Sequence, residues 1–170
     1  VGAKRVMDLF SGLLLISSLS CTLVTGFIFT YAVIVMPGLA NLGDREFIRA
    51  FQATDGIIQD GQPIFMLVWV GSIISVFGTM LTALLAGAGD LKWLAIFTGA
   101  AYLAGVQGLT IFVHLPLNRK IQDVETDEID ADSLNKQRVL FEARWVHFNK
   151  IRTIIGFVTS SSFMAILSFN

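Results

Sequence analysis

Four apolar runs constrain this chain more than anything else in it: Phe10–Met36, Ile64–Ala88, Leu91–Val113 and Ile151–Phe169. The first two contain no charged side chain, the third only Lys92 at its start and the fourth only Arg152. Crossing a hydrocarbon layer of roughly 30 Å takes about 20 helical residues, so each run is long enough to span one. Composition points the same way. With 54% hydrophobic and 15% charged residues, the chain falls well short of the roughly 25% charge that coats an ordinary soluble domain. Inside lipid only helices and closed barrels satisfy every backbone N–H and C=O. The runs lack the apolar/polar alternation of a barrel strand. The expected fold is therefore all-α: a single domain over residues 1–170, built as an up-down bundle of four transmembrane helices in an integral, multi-pass membrane protein.

Punctuation between the runs refines this. Pro37-Gly38 is expected to end span one. From Asp44 to Ile58 the residues Phe47, Ile48, Phe51 and Ile58 recur at near-helical spacing, with Asp44 placed to cap, which predicts a short amphipathic helix between spans one and two. Asp60-Gly61-Gln62-Pro63 is turn chemistry that launches span two, and Gly87-Ala88-Gly89-Asp90 predicts a tight return into span three. Gly71 and Gly78, seven apart, are expected to admit a neighbouring helix closely. The segment from Asn118 to about Asn135 is rich in acids and reads as a solvated loop without the spacing of a calcium site. A last helix starts near residue 133, capped by Asp132 or Ser133, with Arg138 and Glu142 paired on its exposed face. Lys4 and Arg5 precede an apolar run too long for a signal core, so that run reads as a retained span. Lysines and arginines concentrate in the first and third connections, which the positive-inside rule assigns to the cytoplasm.

The polar residues at membrane depth are not scattered. Gln107, Thr110, His114 and Asn118 form one stripe of span three, and Trp145, Asn149, Arg152 and Gly156 form one stripe of the last helix. Both thicken toward the end that also receives Tyr31 from span one and Gln52, Asp55 and Gln59 from the amphipathic connection. Apolar walls with a few directional polar groups describe a small-molecule pocket. Each residue also has a plainer role open to it. Arg152 can snorkel to headgroups or turn inward to an anionic oxygen or Asp55. Asn149 and Gln107 can be interhelical glue, Trp145 and Tyr31 interface anchors, and Cys21 a small packing residue.

His114 and His147 are the only histidines, on adjacent helices at the same end, so a haem or metal held between them is one reading. Against it, no HxxxH, ExxH or CxxCH spacing occurs. Proton transfer in a pocket is the other functional reading. A net charge of -1 supplies no basic field for nucleic acid.

The motifs Phe27/Tyr31/Pro37, Phe51–Gln59 (FQATDGIIQ), His114–Asn118 (HLPLN) and Arg144–Thr153 (RWVHFNKIRT) resemble, over nearly the whole chain, the anthrone oxygenase-like family of small four-helix membrane proteins. The most specific of them are the P-x-N turn after span three and W-x-x-x-N-x-x-R in the last helix. The resemblance implies oxidation of an anthrone to an anthraquinone by molecular oxygen, with no metal or flavin, so no cofactor is expected. It implies Asn118, Trp145, Asn149 and Arg152 as site residues, joined by His114 and His147. On that chemistry His147 or Asp55 takes a proton, Arg152 and Asn149 hold the developing negative charge, and Trp145 or Tyr31 stacks on the rings, with Asn118, His114 and Gln59 completing the binding site. The alternative is a non-enzymatic subunit of a larger membrane complex, its polar mouth docking a partner chain, a quinone or a lipid headgroup. Beyond the bilayer, the partners expected are an apolar small molecule or a membrane subunit, with homo-oligomers open and no nucleic acid.

Overall fold

A computed structural model of the chain describes residues 2–85 and 89–169, with side chains from Arg5 onward. Four helices are long and apolar enough to cross a membrane: span one (Arg5–Leu39), span two (Pro63–Leu85), span three (Asp90–Gln122) and span four (Ala131–Phe169). A fifth, the connecting helix Asp44–Gln59, joins spans one and two. No strand occurs among the described residues. Span one packs on spans two and four, and span three on spans two and four, so sequence neighbours are spatial neighbours around the bundle. Outward positions such as Leu67, Phe97 and Phe112 are large, apolar and open, as a helix facing hydrocarbon requires. The expected return at Gly87-Ala88, and the side chain of Lys4, lie outside the described residues.

Span one ends at Leu39, one residue past the expected Pro37-Gly38 stop, whereas span three, whose apolar run reaches only Val113, continues through Pro116 to Gln122. Span one runs α-helical to Thr30, widens to a π-helical register over Tyr31–Val35, and resumes as Met36–Leu39. Span three widens over Leu103–Gly108 and again over Thr110–His114 before continuing as Leu115–Gln122. The amide of Met36 reaches back to Tyr31 O, and that of Leu115 to Thr110 O. A proline ring clashes with the carbonyl four residues back and removes a donor. A wider turn just before it relieves both problems and lets the helix go on. The expected loop after Asn118 accordingly shrinks to a short segment beyond Gln122.

Close packing uses small residues. A Cβ on Gly156 would lie 2.7 Å from Thr25 Oγ1, one on Gly105 2.7 Å from Ile155 Cδ1, and one on Gly78 3.1 Å from Leu13. Gly71, expected to share this role, meets nothing within 4 Å. Hydroxyl pairs cross the interfaces: Ser17 with Thr79 at 2.9 Å, Ser20 with Ser75 at 3.3 Å and Thr25 with Ser160 at 3.1 Å. Such pairs average about 0.6 kcal/mol in a membrane bundle. Cys21 is fully buried in this core, which matches its packing role.

A second core lies under the connecting helix, where Phe47, Ile48 and Phe51 meet Met36, Ile121, Phe141 and Trp145. The amphipathic face read from the sequence is the one that docks, and it folds onto the bundle rather than lying apart from it. Asp44 is the helix's first residue, not its cap; Gly43 occupies the cap position. Arg138 is not an exposed-face residue either. Its guanidinium donates to Leu42 O (2.7 Å), Ala40 O (2.9 Å), Asp44 (3.0 Å) and Glu142 (2.9 Å), and stands 4.5 Å from the centre of the Phe47 ring. Arg138→Ala orphans two carbonyls and two carboxylates at once. We expect a loss of about 2 kcal/mol, within the range for hydrogen bonds to charged groups, read as a lower midpoint of thermal unfolding in detergent; an unchanged midpoint would show the clamp to be dispensable.

Span four is capped by Asp130 rather than by Asp132 or Ser133. The Ser133 amide donates to Asp130 Oδ1 at 2.8 Å and its hydroxyl to Oδ2 at 3.1 Å. These two bonds hold the Asp130 carboxyl below its ordinary value of 3.8. A depressed carboxylate stabilises the folded state above the unfolded pKa, and that contribution disappears as pH falls through the folded one. Fraying of the first turn, seen as amide exchange at Ser133 rising to the rate of an uncapped Asp130→Ala control, is therefore expected to set in only as pH drops below about 4. Equal exchange in both proteins at neutral pH would contradict the cap.

Candidate functional site

Between the two cores lies a cavity of 310 Å³, at the small end of the roughly 300–1,000 Å³ typical of ligand pockets. All four spans and the connecting helix supply its wall. Its sides are aromatic: Phe27 sits 5.0 Å from Tyr31 and 5.0 Å from Phe65, Phe65 stacks on Trp69 at 5.2 Å, and Trp145 lies 5.6 Å from Tyr31 and 5.8 Å from Phe51. Flat rings on several sides favour a flat, apolar occupant.

Its polar groups separate into a satisfied end and an unsatisfied one. At the connecting helix, Asp55 is buried and accepts from Asn118 Nδ2 at 2.6 Å, Gln59 Nε2 at 3.0 Å and Gln122 Nε2 at 3.2 Å. Asn118 accepts in turn from the Trp145 indole at 2.9 Å. Gln52 adds bonds to the carbonyls of Ile121 (2.8 Å) and Val124 (2.9 Å), while Arg45 and Arg49 reach Thr126 and Asp127. The acidic connection is thus partly ion-paired, not only solvated. The connecting helix is strapped over the cavity by two amides of span three, Asn118 and Gln122, on one carboxylate.

Deeper in the bundle the situation reverses. Arg152 is only 4% exposed, so it does not snorkel. Its Nε donates to Asn149 Oδ1 at 2.8 Å and one terminal nitrogen to Thr110 Oγ1 at 3.1 Å, and its guanidinium carbon stands 5.5 Å from the centre of the Trp145 ring. No carboxylate forms an ion pair with it among the described residues, and Asp55 in particular does not. A charge inside a membrane costs several kcal/mol and ordinarily faces a partner or a wet cavity. His114 is 2% exposed, and both of its ring nitrogens are buried without a partner. Gln107 donates to Tyr102 at 3.0 Å and Ser72 at 3.2 Å, the glue expected of it, yet its Oε1 is also unpartnered. Buried polar atoms are nearly always satisfied, so such exceptions ask for an explanation.

Seven of the nine residues singled out from the sequence line the cavity: Tyr31, Asp55, Gln59, His114, Asn118, Trp145 and Arg152. Asn149 does not. It is fully buried behind Arg152, donates to Ile28 O at 3.1 Å and accepts from Arg152, so it fixes the guanidinium against span one. His147 does not line the cavity either; it is exposed, with its ring against Phe148. It stands two residues from both Trp145 and Asn149, and on a helix two residues are a rotation of about 200°, which puts it on the face opposite the Trp145–Asn149–Arg152 stripe. His114 and His147 thus face different surroundings, which removes the geometry of a haem or metal between them. No group of three or more metal-ligating side chains occurs among the described residues.

The sequence did not single out Phe27, Phe65 or Trp69 as wall residues, nor Gln122 as a partner of Asp55. An aromatic inside an apolar run looks the same whether it faces lipid or a cavity, and Gln122 fell in what read as loop. One signal was present unused. Tyr31, Gln107, Thr110 and His114 all sit on π-helical turns, which accumulate at functional sites, and the prolines that follow two of these segments mark where such turns form.

Neither a curated protein nor a solved structure gives a match to the chain. Residues 60–161, however, match the family described as anthrone oxygenase. That stretch is shorter than the near-complete likeness expected, and it leaves Tyr31, Asp55 and Gln59 outside while holding His114, Asn118, Trp145, Asn149 and Arg152. Because it takes in more than half the chain together with the unpaired arginine and histidine, the chain belongs to the anthrone oxygenase family.

Proposed function

We propose that the cavity binds a flat aromatic ketone of the anthrone type and that the protein is a membrane-embedded oxygenase acting on it with molecular oxygen and its own side chains. The observation that carries this reading is the pairing, at one aromatic-walled cavity, of a guanidinium lacking a counter-charge with a buried imidazole that has no hydrogen bond of good geometry. Between them they want an oxyanion and a proton.

An anthrone has a carbonyl and, across the central ring, a weakly acidic CH₂. With the carbonyl oxygen at Arg152, transfer of one CH₂ proton to a neutral His114 leaves the electron pair delocalised onto that oxygen. Imidazolium and enolate form together, so the cavity's net charge does not change, and the new negative charge appears where a fixed cation already stands. The enolate carbon then bonds to oxygen, and the imidazolium proton converts the resulting peroxide to a hydroperoxide. Loss of the remaining C–H proton with cleavage of the O–O bond yields the second carbonyl and one water. Ketone plus O₂ gives quinone plus H₂O, with every atom accounted for.

Asp55 is the weaker choice of base, because its oxygens are already occupied by three amide donors. It holds the connecting helix in place. Trp145, fixed by Asn118, stacks beside the ligand and the guanidinium.

The test is anthrone oxidation by the purified protein in lipid nanodiscs, followed as quinone absorbance and oxygen uptake and compared with spontaneous oxidation in nanodiscs alone. One quinone per oxygen, at a rate proportional to protein, supports the reading. Tight binding without turnover would favour an accessory subunit that merely holds an aromatic molecule, and no binding would remove both.

A further inference from the structure

We infer that the cavity receives its ligand sideways from the hydrocarbon, through an opening between spans two and three bounded by Met66, Ile73 and Ile111. This rests on the cavity being a ligand site, as proposed above, though not on the oxygenase chemistry. Its first support is that certain wall residues face two ways. Met66 and Ile111 line the cavity, yet they are 40% and 49% exposed on the outer surface of the bundle. Met66 and Ile73 of span two and Ile111 of span three, which line the cavity on this side, are all apolar.

The second support is the path of the helices. Span two packs along the first part of span three, Asp90–Tyr102, touches its Leu103–Gly108 turns, and separates from it thereafter. The widened Thr110–His114 turns lie where the two helices part, so the gap faces the deep polar groups Thr110 and His114 directly. The third support is closure elsewhere. The connecting helix is bound across the top by the amides on Asp55, by Gln52 on the carbonyls of Ile121 and Val124, and by Arg45 and Arg49 on the segment at Thr126 and Asp127. Access from water would have to open this set, or squeeze past Gln59. Access from lipid needs only rotation of two or three unbonded aliphatic side chains.

Ligand chemistry fits the same route. A flat hydrocarbon-rich ketone partitions into the bilayer by the transfer free energy of its apolar surface, about 25 cal/mol per Å². Inside the membrane it is both concentrated and already stripped of water, so a lateral opening presents it to the cavity without a second desolvation step.

The test uses the intact chain in liposomes. Anthrone is first dissolved in separate protein-free vesicles, and its arrival is followed by quenching of tryptophan fluorescence, since Trp69 and Trp145 line the cavity. The double variant Ile73→Phe, Ile111→Phe should slow arrival at least tenfold while shifting the dissociation constant less than threefold; Ile57→Phe, on the exposed face of the connecting helix, should leave the rate within twofold of the unmodified protein. The reverse pattern overturns the inference. If the unmodified chain binds no anthrone, the substrate reading fails separately, and the opening is then read with a phospholipid carrying a diazirine at mid-chain. Photolabels on the inward residues Thr110 and His114, lost in the double variant, support a lateral opening, whereas labels confined to outward residues such as Phe112 and Leu67 refute it.

Discussion

Replacing Arg152 by methionine is expected to abolish turnover and yet leave the protein as stable as before, or more so. Loss of one fixed donor to a developing oxyanion lowers kcat by about 10²–10³. A structural arginine behaves in the opposite way. Breaking a buried ion pair leaves its partner stranded and costs about 3–5 kcal/mol. Arg152 has no such partner; its bonds go to two neutral oxygens, Asn149 Oδ1 and Thr110 Oγ1. Each of those can be satisfied by water or by a neighbour once the guanidinium is gone, and the desolvation of a lone cation disappears with it. Arg152→Lys separates charge from shape: it keeps the cation but loses the planar fork that holds both oxygens, so partial activity is expected. The paired measurement is anthrone oxidation against thermal unfolding in the same detergent. A variant that loses stability in step with activity would make Arg152 a scaffold residue and remove the central support for the oxyanion site.

Substitution of His114 by phenylalanine carries the second large effect. Removing a positioned general base costs about 10²–10⁴ in rate. The ring sits edge-on to Trp145 with centres 5.0 Å apart, an arrangement phenylalanine can keep, and the change deletes two polar atoms that have no partner in the folded protein. Stability should therefore hold or rise, while affinity for the ketone falls little. The diagnostic is a hydrogen isotope effect: with the CH₂ deuterated, slow residual turnover in the variant should show a larger effect than the unmodified protein, because proton removal becomes limiting. Undiminished turnover in His114→Phe would return the role of base to Asp55.

These expectations draw on a site whose members were largely legible beforehand, for a definable reason. In lipid a polar side chain is so costly that its position on a helix is informative by itself. The stripes through Gln107, Thr110, His114 and Asn118, and through Trp145 and Arg152, could be read by periodicity alone because apolar residues surround them. What periodicity could not supply was phase. His147 was drawn in by nearness in sequence, and Asn149 lies on the correct stripe but a layer behind the cavity, a distinction that depends on the close approach of span one at Ile28. Continuation of span three through Pro116 to Gln122 was also hidden, since the rule that proline stops a helix holds for a regular α-helical turn and not for a widened one. Arg138 looked like half of a modest i,i+4 pair until tertiary folding brought the backbone at Ala40 and Leu42 against it. Its larger role comes from a loop conformation that no helical period encodes.

The two-amide strap on Asp55 also fixes an order of assembly. Asn118 lies 63 residues and Gln122 67 residues downstream of the carboxylate they grip. During synthesis the connecting helix therefore emerges long before its anchors, with its buried acid and the ring of Phe51 still bare. Only after the far end of the third transmembrane segment has been made can the roof close, so a nascent chain halted before that point carries an open hydrophobic bowl.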